Sequence, residues 1–301
     1  MAGHRGAGRY SPSPTGELHL GNLRTAVLAW LFARSTGRRF LLRIEDLDAD
    51  RVRPGMAEQQ TADLVALGLD FDPPTLIQSA RADAYAAALD RLAGRVFECF
   101  CTRREIAEAA SAPHGAVPRY PGTCRNLNPV QRAERRRTRT PALRLRADGA
   151  EQTISDLVHG TVTGQVDDIV VRRNDGTAAY HLAVVVDDGD TGVDQVVRGD
   201  DLLASAVSQA YLARLLGYPV PTYAHVPLAV NAEGRRLAKR DGAVTLADLA
   251  ARGQTPAQVL ELLAASLDLP PAARVAALLP SFDPTRLPGA PWVVRPVRVG
   301  P

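Results

Sequence analysis

The chain is organised around Arg9-Tyr10-Ser11-Pro12-Ser13-Pro14-Thr15-Gly16-Glu17-Leu18-His19-Leu20-Gly21-Asn22. This stretch reads as a strand, a tight loop and the start of a helix. Pro12, Pro14 and Gly16 break regular structure between Ser11 and Gly16. From Leu20 onward, Leu23, Val27, Leu28, Leu31 and Phe32 recur at steps of three and four residues, the helical period. A helix N-terminus presents free backbone N–H groups and a partial positive charge, which suits a phosphate. His19 sits at that end, where it can donate to a phosphoryl oxygen. Arg9 closes the preceding strand, and its guanidinium can pair with a carboxylate in bidentate fashion. A phosphate site and a carboxylate site therefore fall a few residues apart.

Downstream, Phe40 to Ile44 reads as a buried strand with Glu45 at its carboxyl end, where open α/β sheets face their ligand. Glu45 can accept a hydrogen bond from a substrate amino group. Residues 54–67 and 82–92 look helical, the first opened by Pro54 and followed by Gly68. This alternation is the first half of a doubly wound α/β fold. A second half restarts with Ile169 to Arg173 and the turn signal Asn174-Asp175-Gly176. Tyr180 to Asp188, near-continuous in β-branched residues, is expected to be a central strand. Val196 to Asp201 reads as a strand ending in a charged loop, and Leu202 to Leu216 as a helix closed by Gly217. Thr245–Arg252 and Pro256–Leu267 look like short helices with Thr245 and Thr255 as N-caps. From Pro270 onward 8 of 32 residues are Pro, so the tail is expected to cross the surface without a large core.

With 301 residues, 46% hydrophobic and 23% charged, the chain is long enough for more than one domain. Net charge is only +3, so any nucleic-acid surface must be a local patch. The patch in question is Arg125, Arg132, Arg135, Arg136, Arg137, Arg139, Arg144 and Arg146, which suits an RNA backbone or the solvated face of a helix over 129–138. No apolar run approaches the ~18 residues of a membrane span. Met1 to Gly6 lacks a signal peptide's apolar stretch and reads as a short disordered leader. The three cysteines, Cys99, Cys101 and Cys124, fit a reducing cytoplasm better than a disulfide framework. Cys-x-Cys plus a third Cys beyond Pro121-Gly122 is also a zinc-like arrangement, with Tyr120 or His114 as fourth ligand. The alternative is three buried free thiols.

Ser13-Pro14-Thr15-Gly16 followed by His19-Leu20-Gly21-Asn22 closely resembles the first signature of class I aminoacyl-tRNA synthetases of the glutamyl type. Leu42 to Asp48, Tyr180 to Asp188 and Val196 to Asp201 resemble further segments of that family. Arg235 to Ala243 resembles its second signature, departing at Arg236 for Lys and Ala238 for Ser. The resemblance spans roughly residues 9 to 267. It implies a Rossmann-type doubly wound parallel sheet, an inserted α+β zinc-containing subdomain and a short helical C-terminal part. The expected segments are 1–82, the first sheet half; 83–178, the insert with zinc and RNA contacts; 179–244, the second half with the second signature; and 245–301, a short helical segment and Pro-rich tail. Only 61 residues follow Arg240, too few for the family's anticodon-binding domain.

The resemblance also assigns residues. Arg9, Ser11, Ser13, Glu45, Tyr180 and Arg198 are expected to bind glutamate. Pro12, His19, Gly21, Asn22, Arg236 and Lys239 are expected to bind ATP, with His19 and Lys239 stabilising charge at phosphorus and Mg²⁺ arriving on the triphosphate. The spacing departs from the family's Cys-x-His ending at Asn126 and looks like a Cys-x-Cys…Tyr-x-x-x-Cys variant of a truncated relative, so Cys99, Cys101, Tyr120 and Cys124 are the implied ligands of one structural zinc. That truncated relative activates glutamate with ATP and passes it to queuosine in the anticodon loop of tRNA(Asp). The expectation is thus a monomeric cytoplasmic ligase with glutamate, ATP and queuosine-bearing tRNA(Asp) as partners. The alternatives are a truncated enzyme charging a tRNA 3′ end and a non-catalytic tRNA- or glutamate-binding paralogue, the latter favoured by Arg236 and Ala238.

Overall fold

The computed structural model describes residues 6–109, 119–235, 237 and 244–294. In order, the elements are β1 (Ala7–Tyr10), α1 (Leu20–Ser35), β2 (Arg39–Ile44), α2 (Met56–Ala66), β3 (Leu76–Ile77), α3 (Ala82–Arg91), β4 (Val96–Cys99), α4 (Arg103–Ala109), α5 (Pro129–Arg136), β5 (Ala142–Leu145), β6 (Glu151–Asp156), β7 (Gly160–Gln165) and β8 (Val170–Arg172). They continue as α6 (Tyr180–Thr191), β9 (Gln195–Gly199), α7 (Leu203–Leu215), β10 (Thr222–Val226), β11 (Ala229–Val230), α8 (Leu246–Ala250), α9 (Pro256–Ala265) and β12 (Trp292–Val293).

β1, β2 and β3 pair in parallel, as do β9 and β10. The two halves meet where Ala7 bridges Val193 at the entry to β9, with Ala7 N–H bonded to Gly192 O at 3.1 Å and Asp194 N–H to Ala7 O at 3.0 Å. Chain order therefore runs outward from β1 in one direction and from β9 in the other. Ligands bind at such a reversal, outside the carboxyl ends of the strands. Arg9, Glu45 and Arg198 all lie at those ends. The β6–β7 hairpin extends the sheet past β10, with Tyr223 opposite Asp156. A separate antiparallel sheet, β4-β5-β8, carries the cysteine region.

α1 is the central post. Eleven of its residues are buried, among them Leu20, Leu23, Leu28, Leu31 and Phe32, so it is apolar nearly all round. Arg24 is buried there too, donating to Pro227 O at 2.7 Å and Ser266 Oγ at 3.1 Å. Those bonds tie the centre of the fold to the C-terminal helices. Thr245 and Thr255 both cap their helices in reciprocal capping boxes with Asp248 and Gln258.

Two expectations are overturned. Tyr180 to Asp188 is not a strand but the first nine residues of α6, ended by Gly192 in the left-handed conformation. A helix buried on every side is apolar throughout and shows no amphipathic period to separate it from a buried strand. The Pro-rich tail is also not superficial. Val275, Leu278 and Phe282 enter the main core, with Phe282 edge-on to Phe32 at 5.2 Å. The leader Met1 to Arg5 lies outside the described residues, as does His114. Truncating Phe282→Ala should cost about 3–5 kcal/mol of stability by chemical denaturation, as for a core aromatic; a superficial tail would cost under ~0.5 kcal/mol.

Candidate active site

The carboxyl ends of β1, β2 and β9, the loop 11–16 and the start of α1 enclose a cavity of about 610 Å³. All ten of the expected glutamate- and ATP-binding residues that the structure describes line it: Arg9, Ser11, Ser13, Glu45, Tyr180 and Arg198, with Pro12, His19, Gly21 and Asn22. Arg236 and Lys239 lie outside the described residues.

The loop is held from outside because its prolines offer no N–H of their own. Gln60 on α2 donates to Ser13 O at 3.0 Å and Gly16 O at 2.6 Å, and Glu45 N–H reaches Pro12 O at 2.9 Å. Ser11 Oγ is buried with no hydrogen-bond partner among the described residues. At such a position a ligand atom is the natural partner.

His19 caps α1. Its Nδ1 accepts from Gly21 N–H at 3.1 Å and Asn22 N–H at 3.3 Å, while Asn22 Oδ1 accepts His19 N–H at 3.2 Å. An accepting Nδ1 carries no proton, so the neutral ring bears its proton on Nε2. That fixes His19 as an Nε2–H donor at the helix N-terminus. Gly21 is required by space: a Cβ would stand 3.0 Å from the His19 ring and 3.1 Å from Ala229 Cβ.

Next to the loop lies a buried charge network. Arg43 Nη1 is 2.5 Å from Asp188 and its Nη2 3.0 Å from Glu45. Arg9 Nε reaches the same Asp188 oxygen at 3.4 Å. Burial lowers the Arg9 guanidinium's pKa against the pull of Asp188. For Arg43 burial is outweighed by Asp188, Glu45 and Asp187, so it stays firmly charged. Burial pushes Glu45 up and Arg43 only partly offsets it, whereas Arg43 and Arg9 together overcome burial and hold Asp188 below the usual range. Arg198 is held by Gln209 Oε1 at 2.7 Å and His225 Nε2 at 3.0 Å, with the Tyr180 hydroxyl at 3.4 Å.

A second cavity of about 1210 Å³ shares Ser13, Glu45 and Tyr180 with the first and runs to the cysteine region. Arg103, Arg139, Arg144 and Arg173 line it, as do Asp48 and Asp175. At its far wall the Cys99, Cys101 and Cys124 sulfurs lie within 4.8 Å of one another. The Tyr120 hydroxyl stands 3.4 Å from Cys99 Sγ and 4.0 Å from Cys101 Sγ. Three thiols converging from two chain segments could hold a metal ion, and the Tyr120 hydroxyl, which accepts Cys124 N–H at 2.8 Å, stands beside them. The neighbouring arginines largely fasten this region to itself. Arg125 pairs with Asp168, Arg136 with Glu98 and Arg139 with Glu105, and Arg144 stacks over Tyr120 at 4.0 Å.

A family model of class I tRNA synthetases (E and Q), catalytic domain, matches residues 7–267. The chain belongs to that family. It is 63% identical over 292 residues to the glutamyl-Q tRNA(Asp) synthetase of Nocardia farcinica, covering 96% of this chain and 93% of that relative. It is 55% identical over 267 residues to the glutamyl-Q tRNA(Asp) synthetase of Cutibacterium acnes, covering 88% and 76%. Among solved structures, the glutamate-tRNA synthetase of Elizabethkingia anophelis superposes with a TM-score of 0.81 at 26% identity, over 97% of this chain and 68% of that one. As a class I synthetase the chain is a ligase, and its cleft is where that fold places its chemistry. No helix among the described residues is long and apolar enough to cross a membrane.

Several site residues carry no motif that marks them. Gln60, Gln209 and His225 sit in ordinary-looking helix and strand sequence. Arg43 and Asp188 were visible only as neighbours of Glu45 and as the end of an apolar run. Arg43→Met leaves buried Glu45 without its paired cation and Asp188 with Arg9 alone, at a cost of roughly 3–5 kcal/mol near neutral pH. Asp188 has a lowered folded pKa, so its contribution is present above its unfolded value of 3.8 and fades as pH falls through the folded value. Urea titrations should therefore show the gap between parent and variant narrowing below about pH 4.

Proposed function

We propose that this chain activates L-glutamate with ATP and transfers the glutamyl group to queuosine in the anticodon loop of tRNA(Asp). The observation that carries this is the near-full-length likeness to a relative named for that reaction, at 63% identity. The two joined cavities supply a place for each reactant.

On this reading Arg9 and Arg198 meet the two substrate carboxylates and Glu45 accepts from the ammonium. An uncharged glutamine side chain would leave a buried guanidinium unpaired, a penalty on the order of several kcal/mol. A carboxylate oxygen of glutamate forms a bond to the α-phosphorus of ATP, and the bond to pyrophosphate breaks in line. His19 Nε2–H stabilises the charge that builds on the phosphoryl oxygens, with Gly21 leaving room for their approach and Lys239 adding a further cation. Mg²⁺ bound to ATP would screen the triphosphate. A queuosine hydroxyl then attacks the glutamyl carbonyl; its proton leaves and AMP departs, giving an ester. The larger cavity admits the nucleoside, and the exposed Arg136, Arg137 and Arg139 meet the RNA backbone. The enzyme acts as a cytoplasmic monomer alongside its tRNA.

Cys99, Cys101, Cys124 and Tyr120 would hold one zinc ion with no open position, which cross-links the small β4-β5-β8 region. Purified protein should contain one zinc per chain by atomic emission. Cys124→Ala should lose the metal and lower the melting temperature by several degrees, on the order of 10 °C; unchanged melting would remove zinc from the account.

The decisive assay is transfer of radiolabelled glutamate, with ATP, onto two tRNA pools, one containing queuosine and one from cells unable to make it. Label in the queuosine pool alone is expected. Equal label in both means 3′-end charging and overturns the proposal.

A further inference from the structure

All three guanidinium nitrogens of Arg198 donate within the protein. Nη1 meets Gln209 and Tyr180, Nη2 meets Leu202 O at 3.3 Å, and Nε meets His225 Nε2 at 3.0 Å. His225 stands directly opposite Arg198 in the β9–β10 register. A histidine nitrogen that accepts carries no proton, so the ring proton sits on Nδ1. There it meets Asp156 Oδ2 at 2.6 Å, and both side chains are fully buried. Asp156 is itself fixed by the N–H groups of Val158 and His159, each at 2.9 Å, and of His225 at 3.2 Å. The groups facing the His225 ring are Asp156 and His159 from the β6–β7 hairpin, Arg198 from β9 and Tyr223, stacked at 5.6 Å, from its own strand.

We propose that His225, oriented by Asp156, is a positioning residue for glutamate: its unprotonated Nε2 holds the Arg198 guanidinium in the orientation that meets a substrate carboxylate. This rests on the glutamate-activating role given above. The arrangement needs a neutral ring, since a proton on Nε2 would place a second cation against Arg198. Burial, only partly opposed by the Asp156 bond, keeps His225 below the ordinary histidine pKa. The hairpin that carries Asp156 precedes β8 in the chain and joins the sheet beside β10, so a segment from the middle of the chain helps to set the amino-acid site.

The test compares His225→Asn and His225→Gln in the full chain by glutamate-dependent ATP–pyrophosphate exchange. Asparagine can still donate to Asp156 but offers Arg198 no acceptor. Glutamine brings a carbonyl oxygen near the Nε2 position. His225→Asn should raise the KM for glutamate about 10-fold or more and leave the KM for ATP within about 2-fold, while His225→Gln returns the glutamate KM to within about 3-fold of the parent. An unchanged glutamate KM in His225→Asn, or an equal rise in both constants, overturns the proposal. Nitrogen-15 histidine NMR on the unaltered protein is independent of whether the variants fold. The ring in contact with Tyr223 should be the neutral Nδ1–H tautomer; an Nε2–H ring, or a charged one at neutral pH, also overturns it. A parent chain without exchange activity would instead sink the glutamate-activating reading, whereas an active parent with an indifferent His225→Asn sinks only the positioning role.

Discussion

The pairing of Arg43 with Asp188 at 2.5 Å, deep at the carboxyl ends of the strands, is what the rest of the site depends on. It joins β2 to α6, that is, the two halves of the sheet, across 145 residues of sequence. Three buried guanidiniums, Arg9, Arg43 and Arg198, gather here around Glu45 and Asp188, with buried Asp187 3.8 Å from Arg43 and shared with Arg81. On the proposed reading, the two carboxylates of free glutamate meet Arg9 and Arg198 at the edge of this network. A buried guanidinium is costly without a partner, so on the proposed reading the cleft suits an anionic amino acid rather than a neutral one. Arg43 also bears on why Glu45 tolerates burial, since its guanidinium holds one Glu45 oxygen at 3.0 Å.

Much of the site was legible because loops that bind ligands are spelled in special residues. Pro12, Pro14 and His19 each have a local reason that survives without any tertiary information, a missing donor or a cap, and Gly21 sits in the small space beside the His19 ring. Parallel strands such as Phe40 to Ile44 are equally plain, as are capped helices such as Pro256–Ala265. Tyr180 to Asp188 was not legible. Val184, Val185 and Val186 favour a strand locally, and burial against α3, α7 and β8 overrode that preference. Phe282 and Leu278 were hidden by their prolines, which forbid a helix but do not keep a side chain out of a core. Gln60, Gln209 and His225 were invisible because each acts through a long-range contact, and nothing in a strand or helix pattern announces one.

The arginine-rich stretch shows a different limit. Charge density alone reads as an RNA surface, yet Arg125, Arg144 and Arg146 turn inward to Asp168, to the carbonyls of Asp168 and Arg125, and to the faces of Tyr120 and Phe97. A small sheet of three short strands has too little apolar area to hold itself together. Planar guanidiniums that stack and donate at once supply part of what is missing. What remains for a polyanion is the outer rim, at Arg136, Arg137 and Arg139, each already steadied by a glutamate. Side chains held in that way present charge with little entropy left to lose, so a phosphate backbone can compete for them without having to order them first.

The chain's cations also divide by type. Its 36 basic residues include a single lysine, Lys239, and all the others are arginine. Arginine suits the roles described, since a rigid fork can answer two acceptors and stack on a ring at the same time. The described cations of the cleft each answer more than one acceptor, from Arg43 bridging two acids to Arg198 donating from three nitrogens and lying over the Tyr223 ring. A guanidinium committed in this way is a fixed charge. On the proposed reading, charge at the leaving pyrophosphate appears only as the bond breaks and moves as it does so. A compact ammonium on a flexible stem can follow such a group where a planar fork cannot. On the same reading, the division of labour reflects what each step demands: preorganised arginines for a substrate whose charges are present from the start, and a lysine for charge that develops in the transition state.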